Sequence, residues 1–425
     1  MFNIFLILLF LVCILLLAWG TYRRERSYEF PFFMGGIFLA FLLPQAFLLA
    51  VNPLQAPPAA VDRILLFSAL CGAMCWVGYQ WPIQKKYIRF LSIPLDEKRL
   101  FQVGFIYVAL GYLFTYLLIR SDIQVAAIGA GWTGEATIYH FLSGIGLVGL
   151  PIILYFTCKR PSVVMITFSV IAALPTLADI LLAGRRQETF TLAIILGVSL
   201  FYWRRILPPR FLPSLLFLAM MVLIPLFAFA RQGVFIALVT GDTAALNLQN
   251  FQAYLSGGTL ELRNAAIFAD AAMAELQFGY GTTFWDQIVS QFVPGQIIGY
   301  QIKESLQFKL LSFDLLSRYN YVLPLGTTIT GIGDTFLEFS YFGCAIFAFM
   351  AYFYKHLWYA SLRPDGLVSQ ILYAGLIGPA VIGLTHGVGR FFQELLFQLI
   401  FVGFAVYYAQ VRKPVLQSSH QRLLR

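Results

Sequence analysis

The sequence predicts an all-α, polytopic transmembrane helix bundle of about eleven spans, with one large external loop of short helices. Three observations predict it. Hydrophobic residues make up 60% of the chain and charged residues 12%, with a mean hydropathy of +0.77. That leaves too little polar surface to coat a soluble globule of 425 residues. The apolar residues fall into runs of roughly 20, the length that crosses a bilayer as a helix. The basic residues cluster between alternate runs, the pattern that marks cytoplasmic loops.

In order, the runs are residues 3–19, 31–51, 63–82, 100–119, 141–157, 162–182, 189–203, 211–230, 329–354, 367–385 and 391–409. Residues 1–230 therefore carry the first part of the bundle, 231–328 the large loop, 329–409 the last spans and 410–425 a basic tail. Threading the spans with the N-terminus outside puts Arg23, Arg24, Arg26, Lys85, Lys86, Arg89, Lys98 and Arg99 inside. Lys159, Arg160, Arg204, Arg205, Arg210, Lys355, Arg363 and the tail fall on the same side. The opposite threading would export all of them, against the rule that cytoplasmic loops retain Lys and Arg. The C-terminus is then cytoplasmic. The net charge of +9 is a topology signal spread over short loops, not a stripe for nucleic acid. The first run is followed rather than preceded by basic residues and lacks a small-residue cleavage site, so it reads as a retained span. Cys13, Cys71, Cys75, Cys158 and Cys344 lie in spans or at a cytoplasmic edge, where neither an external disulfide nor a zinc cluster forms.

Pro44, Pro151, Pro175, Pro225 and Pro379 predict bent spans. The external loop is too apolar to be disordered. Residues 262–276 place apolar positions at helical spacing beside Arg263, Asp270 and Glu275, which predicts an amphipathic helix at the membrane surface. A turn at Gly279 to Gly281, an apolar face over 284–292 and the pattern over 302–316 complete a folded cap of short helices. The chain has no fixed-period repeat and no glycine-rich phosphate loop.

Charges that topology does not explain gather at one depth. Asp179, Asp334, Glu338 and Glu394 lie inside spans, in the external half, where a carboxylate is costly unless it is paired, protonated or wet. Arg185, Arg186, Arg231 and Arg390 occupy the same layer. Guanidinium forks match phosphate oxygens bidentately and stay charged, so such a layer suits a diphosphate carried on a lipid tail, with no metal or other cofactor needed. Arginines there would stabilise the charge that grows on a leaving pyrophosphate. Asp334, Glu338 and His386 are the candidate general bases. Arg318 in the loop is a further candidate substrate contact, and Trp132, Tyr280, Trp285 and Tyr300 in external segments can stack on sugars.

Each of these has a plainer reading. An external arginine can snorkel to lipid head groups, the better reading for Arg63 and Arg120. Arg390 and Glu394 are four apart on a helix, a spacing at which they can simply pair with each other. Asp334 and Glu338 share that spacing with like charge, so they need a partner or a raised pKa. His386 is a structural histidine as readily as a catalytic one.

Gly326-Thr327-Thr328 followed by Gly333-Asp334-Thr335-Phe336-Leu337-Glu338-Phe339-Ser340-Tyr341-Phe342-Gly343 resembles the glycine, acidic and aromatic stretch of the bacterial oligosaccharide repeat-unit polymerases, the Wzy-type O-antigen polymerases. Ser340 departs from the glycine of that pattern. Leu182-Ala183-Gly184-Arg185-Arg186 is similar to the family's glycine-arginine motif. Phe229-Ala230-Arg231-Gln232-Gly233 is similar to the arginine opening its large loop, and His386 through Arg390 to its late external basic site. The resemblance covers most of the chain. It implies a fold similar to the GT-C class and an inverting, metal-independent glycosyl transfer in the bacterial inner membrane. The substrate implied is an undecaprenyl-diphosphate-linked oligosaccharide, with membrane lipids, a chain-length regulator and a flippase as partners. Arg186, Arg231 and Arg390 would then hold diphosphates, with Arg185 and Arg318 as further substrate contacts. Asp334 or His386 would activate the acceptor hydroxyl, and Glu338 and Tyr300 would contact substrate. The competing readings are an O-antigen ligase, a flippase or transporter for the same lipid, and an ordinary polyprenyl-phosphate sugar transferase. The last is disfavoured because the first loop here is short, basic and internal.

Overall fold

The computed structural model describes residues 3–121, 135–183, 186–221, 260–324 and 327–411. Helix is the regular structure of these residues, beside an isolated bridge between Leu95 and Gln410. Eight helical stretches are long and apolar enough to cross a membrane, so the protein is a polytopic helical membrane protein. The first are α1 (Ile4–Tyr22), α2 (Phe30–Val51) and α3 (Pro58–Gln80). After the short exposed α4 (Lys85–Leu91) come α5 (Glu97–Arg120) and α6 (Glu135–Lys159). Where the sequence places three further spans, at 162–182, 189–203 and 211–230, the chain forms α7 (Val163–Ala183), α8 (Arg186–Arg204) and α9 (Leu212–Met221). None of the three counts among the eight. Arg186, Glu188 and Arg204 at its ends leave α8 with a short apolar middle.

Local chemistry explains several boundaries. The Asn3 side chain accepts from the Phe5 N–H to start α1, and the Asp96 carboxylate accepts from Lys98 N and Arg99 N to start α5. Pro58 opens α3, where a missing N–H costs nothing. Pro44 cannot bond the carbonyl one turn back, and α2 accommodates it with a π turn over Phe38–Leu42. Pro151, Pro175 and Pro379 lie inside α6, α7 and α17 (Leu367–His386). The last of these is the most enclosed helix of the bundle, whereas α1, α5 and α18 (Val388–Ala409) each leave a broad face uncovered.

The bundle has two chemically distinct ends. At the basic end, Asp96 N donates to Ala409 O at 2.8 Å, Lys355 Nζ to Trp81 O at 2.7 Å and Arg210 Nε to Thr21 O at 2.6 Å. Lys159 pairs there with Glu97, and Ser361 Oγ bonds Tyr202 at 2.9 Å. The basic loops expected on one side do share one end. At the other end lies a cap built from α10 (Glu261–Glu275), α11 (Thr282–Phe292), α12 (Gly295–Ile298), α13 (Tyr300–Ser305) and α14 (Leu315–Tyr319).

Two expectations are corrected. Residues 262–276 do not form a helix lying on the surface: most of α10 is buried inside the protein, with Leu262, Ala265, Ala266, Ile267 and Ala269 fully covered. Its alanines permit close approach on every side, and a Cβ added at Gly333 would lie 2.8 Å from that of Ala265. The span at 329–354 is not one helix. It runs as α15 (Thr330–Phe339), a 3-10 turn over Ser340–Gly343 and α16 (Cys344–Ser361), and the break falls at Ser340, with φ 51° and ψ −139°.

Candidate functional site

The half-helix α15 carries the two acids of interest. Asp334 and Glu338 lie one turn apart on the same face, 4% and 0% exposed. Each carboxylate reaches the N-terminus of a different helix. Asp334 Oδ2 accepts from Gly389 N, in the first turn of α18, at 3.0 Å. Glu338 accepts from Gly281 N and Thr283 Oγ1, at the start of α11. Free N–H groups and the helix dipole make a helix start locally positive, which offsets part of the cost of burying two carboxyl groups one turn apart. The partners that this pair needs are two backbone N–H groups and the Thr283 hydroxyl.

Two glycines make the contacts possible. A Cβ at Gly279 would sit 2.5 Å from the Glu338 carboxylate, and one at Gly387, where φ is +127°, would sit 3.0 Å from Asp334 Oδ2. Gly279 N and Tyr280 N also donate to Leu337 O and Glu338 O, at 3.0 and 2.9 Å, closing the last carbonyls of α15.

Around this frame stand the other side chains of the α17–α18 junction. His386 is exposed at the end of α17, its Nδ1 2.7 Å from Thr385 Oγ1. Arg390 is half-exposed and pairs with Glu394 at 3.1 Å, as their spacing permits. Gln393 Nε2 donates to Gln287 O at 2.6 Å and ties α18 to α11. Thr328 Oγ1 donates to Thr385 O at 3.0 Å, while Asn264 Nδ2 donates to Thr327 Oγ1 and Thr328 O at 3.0 and 2.7 Å. The threonine pair before α15 thus joins the cap to α17.

Asp334 is brought to the start of α18 beside His386 and Arg390, while Glu338 is brought to the start of α11. Arg318 stands on α14, exposed and 3.7 Å from Glu275, and Tyr300 is exposed on α13 against Gly295. Neither makes a contact with the junction. Arg185, Arg231 and Trp132 lie outside the described residues. Arg186 begins α8 and Asp179 lies in α7, but their side chains are likewise outside what is described. Arg63 does not snorkel to lipid: it pairs with Asp270 at 2.8 Å, and Tyr319 OH donates to the other oxygen of the same carboxylate at 2.8 Å. Burial and that bond push the Tyr319 hydroxyl up to about 12. Among the described residues no three His, Cys, Asp or Glu side chains group to hold a metal ion.

Arg263 was missed as an interior residue. It is 1% exposed, its Nη2 lies 3.4 Å from Asn52 O, and its Nε has no partner. Burial lowers its pKa. The signal available was the run of alanines around it, which marks a helix packed on all faces. The N-terminal capping by Asp334 and Glu338 had no sequence signal.

No protein-family model matches the chain, nor does any curated protein or solved structure.

At this junction an exposed imidazole and a half-exposed guanidinium are held four residues apart on a frame anchored by buried carboxylates. Such a pair can exchange a proton and hold an anion without moving the backbone.

Proposed function

We propose that the protein is a membrane glycosyltransferase that polymerises polyprenyl-diphosphate-linked oligosaccharide repeat units on the external face of the membrane. The observation that carries this reading is the convergence of Asp334, His386 and Arg390 at the α17–α18 junction, under the cap and opposite the basic end. The sequence resemblance assigns the same residues to the reaction. In this proposal Arg390, with Arg186 and Arg231, neutralises diphosphate, and charge growing on the leaving group is matched by fixed guanidiniums. His386 is the better base of the two candidates, because it is exposed while Asp334 is enclosed and committed to Gly389 N. The acceptor hydroxyl gives its proton to His386 as it attacks the anomeric carbon from the face opposite the diphosphate.

The topology proposed with it has eleven crossings. α1 starts at the cap end, where Asn3 Nδ2 bonds Asp62, and α18 finishes at the basic end beside Asp96. A path from one end to the other crosses an odd number of times. Eight long helices are an even number. Adding α7, α8 and the span begun by α9 restores the odd count. The basic end is then cytoplasmic and the cap external.

The test is purified protein given a lipid-linked repeat unit. A ladder of products supports the proposal. Transfer to a lipid A core alone would show a ligase, and leaflet exchange without bond formation would show a flippase.

A further inference from the structure

At the basic end, far along the chain from the acids of α15, the structure encloses a second feature that the proposed reaction does not use. A cavity of about 220 Å³ lies between α8, α9, the turn over Arg24–Tyr28 and the start of α2. Phe190, Ala193, Ile194 and Gly197 line one wall. Their spacing is that of a single helix face, and it runs about 10 Å along α8 at the rise of an α-helix. Tyr28 and Phe217 face them. The cavity is lined almost wholly by carbon and is partly open to the outside. A Cβ at Gly197 would stand in ordinary contact with the Tyr28 ring, at 3.6 Å, so a larger side chain there would project into the slot.

Cations flank this slot on two segments. Exposed Arg23 precedes the turn over Arg24–Tyr28, which carries exposed Arg24 and Glu25 and is followed by buried Glu29, and the loop after α8 carries exposed Arg205 and Arg210. The two segments are tied by Tyr28 OH donating to Ile206 O at 3.2 Å and by Arg210 Nε donating to Thr21 O at 2.6 Å. Among the described residues, no carboxylate pairs with Arg24, Arg205 or Arg210. An apolar slot, with exposed arginines that no carboxylate neutralises on the segments that border it, is complementary to one kind of molecule, a lipid with a hydrocarbon chain and an anionic head.

We propose that this slot binds one acyl chain of an anionic phospholipid of the leaflet at the basic end, with the lipid phosphate held by Arg24 and Arg205. The assignment does not depend on the glycosyltransferase reading, because slot and junction share no residue. A polyprenyl diphosphate acting at the cap has its head at the opposite end and does not meet these arginines.

The experiment is native mass spectrometry of the full chain released from phosphatidylcholine nanodiscs containing phosphatidylglycerol with matched acyl chains. The wild type is expected to retain phosphatidylglycerol at least tenfold over phosphatidylcholine. Gly197→Leu and, separately, Ala193→Leu fill the slot and should abolish retention of both lipids. Arg24→Gln with Arg205→Gln leaves the slot open and should erase the preference while keeping an adduct. Equal retention of the two lipids by the wild type would overturn the proposal. So would unchanged phosphatidylglycerol adducts in both slot-filling variants, or displacement of the phospholipid by undecaprenyl phosphate at equal concentration. Because the head-group variants alter only exposed side chains, they carry the test even if a slot-filling variant fails to insert.

Discussion

Glu338 and Asp334 look alike in the sequence, and the structure gives both the same kind of partner, yet their surroundings differ. Glu338 is spent on Gly281 N and Thr283 Oγ1, deep under the cap. Its replacement in Glu338→Gln leaves shape intact but exchanges a carboxyl for an amide, which has one acceptor oxygen for the two donors at this helix start. We expect a loss of about 1–3 kcal/mol in unfolding free energy, read by denaturant titration, with turnover per folded molecule little changed. Arg390 gives the opposite pattern. If its guanidinium serves a diphosphate, Arg390→Ala lowers polymerisation by about 10²- to 10³-fold with stability nearly unchanged. Glu394→Gln is the control: it removes the partner of the ion pair at 3.1 Å but not the cation, so activity should persist. Equal damage from both substitutions would reduce Arg390 to half of a structural pair. His386→Ala should cost about 10²- to 10⁴-fold in turnover, the range for losing a general base.

Among elements, the broken helix decides the site. Had residues 330–361 formed one straight span, the carbonyls of Leu337 and Glu338 would be taken up inside the helix and could not accept from Gly279 N and Tyr280 N; α15 ends where Ser340 adopts φ 51° and ψ −139°. That conformation suits glycine and strains a residue with a Cβ, at a cost of order 1–3 kcal/mol. Glycine loses more freedom on folding, by roughly 0.5–1 kcal/mol. Ser340→Gly should therefore raise stability by about 1 kcal/mol, visible as an upward shift of the thermal midpoint. A downward shift would mean that the Ser340 hydroxyl matters more than its backbone; its contact in the structure is a long one, 3.7 Å to Met273 Sδ. The cap behaves as an element in the same sense. Arg63, Asp270 and Tyr319 fasten α10 and α14 to α3, and the alanine-rich α10 is enclosed rather than floating at an interface.

For the molecule as a whole, the two ends make a testable prediction about sidedness. The native cysteines are buried or half-buried, so single reporters can be read against a low background. Ser312→Cys, exposed in the cap, should react with a membrane-impermeant maleimide on intact cells, whereas Lys86→Cys, exposed on α4, should react only after the membrane is opened. The reverse result would invert the topology and remove the external reaction with it.

What the sequence determined alone was the membrane-spanning class, most of the long helices, the single basic end, the existence of a folded cap and the Arg390–Glu394 pairing. These follow from composition, hydropathy and spacing over a few residues, which are local properties and legible without coordinates. Of the candidate residues that the sequence proposed, Asp334 bonds to the start of α18 beside His386 and Arg390, while Glu338 bonds to the start of α11. Only the tertiary structure decided how: Asp334 meets Gly389 across 55 residues and Glu338 meets Gly281 across 57. The backbone N–H that satisfies a buried carboxylate has no residue identity to read, so no pattern in the chain could announce it. The same holds for Arg263, whose burial is set by the neighbours that close around α10, and for the apolar slot beside α8, which exists only where α2, α8 and α9 converge.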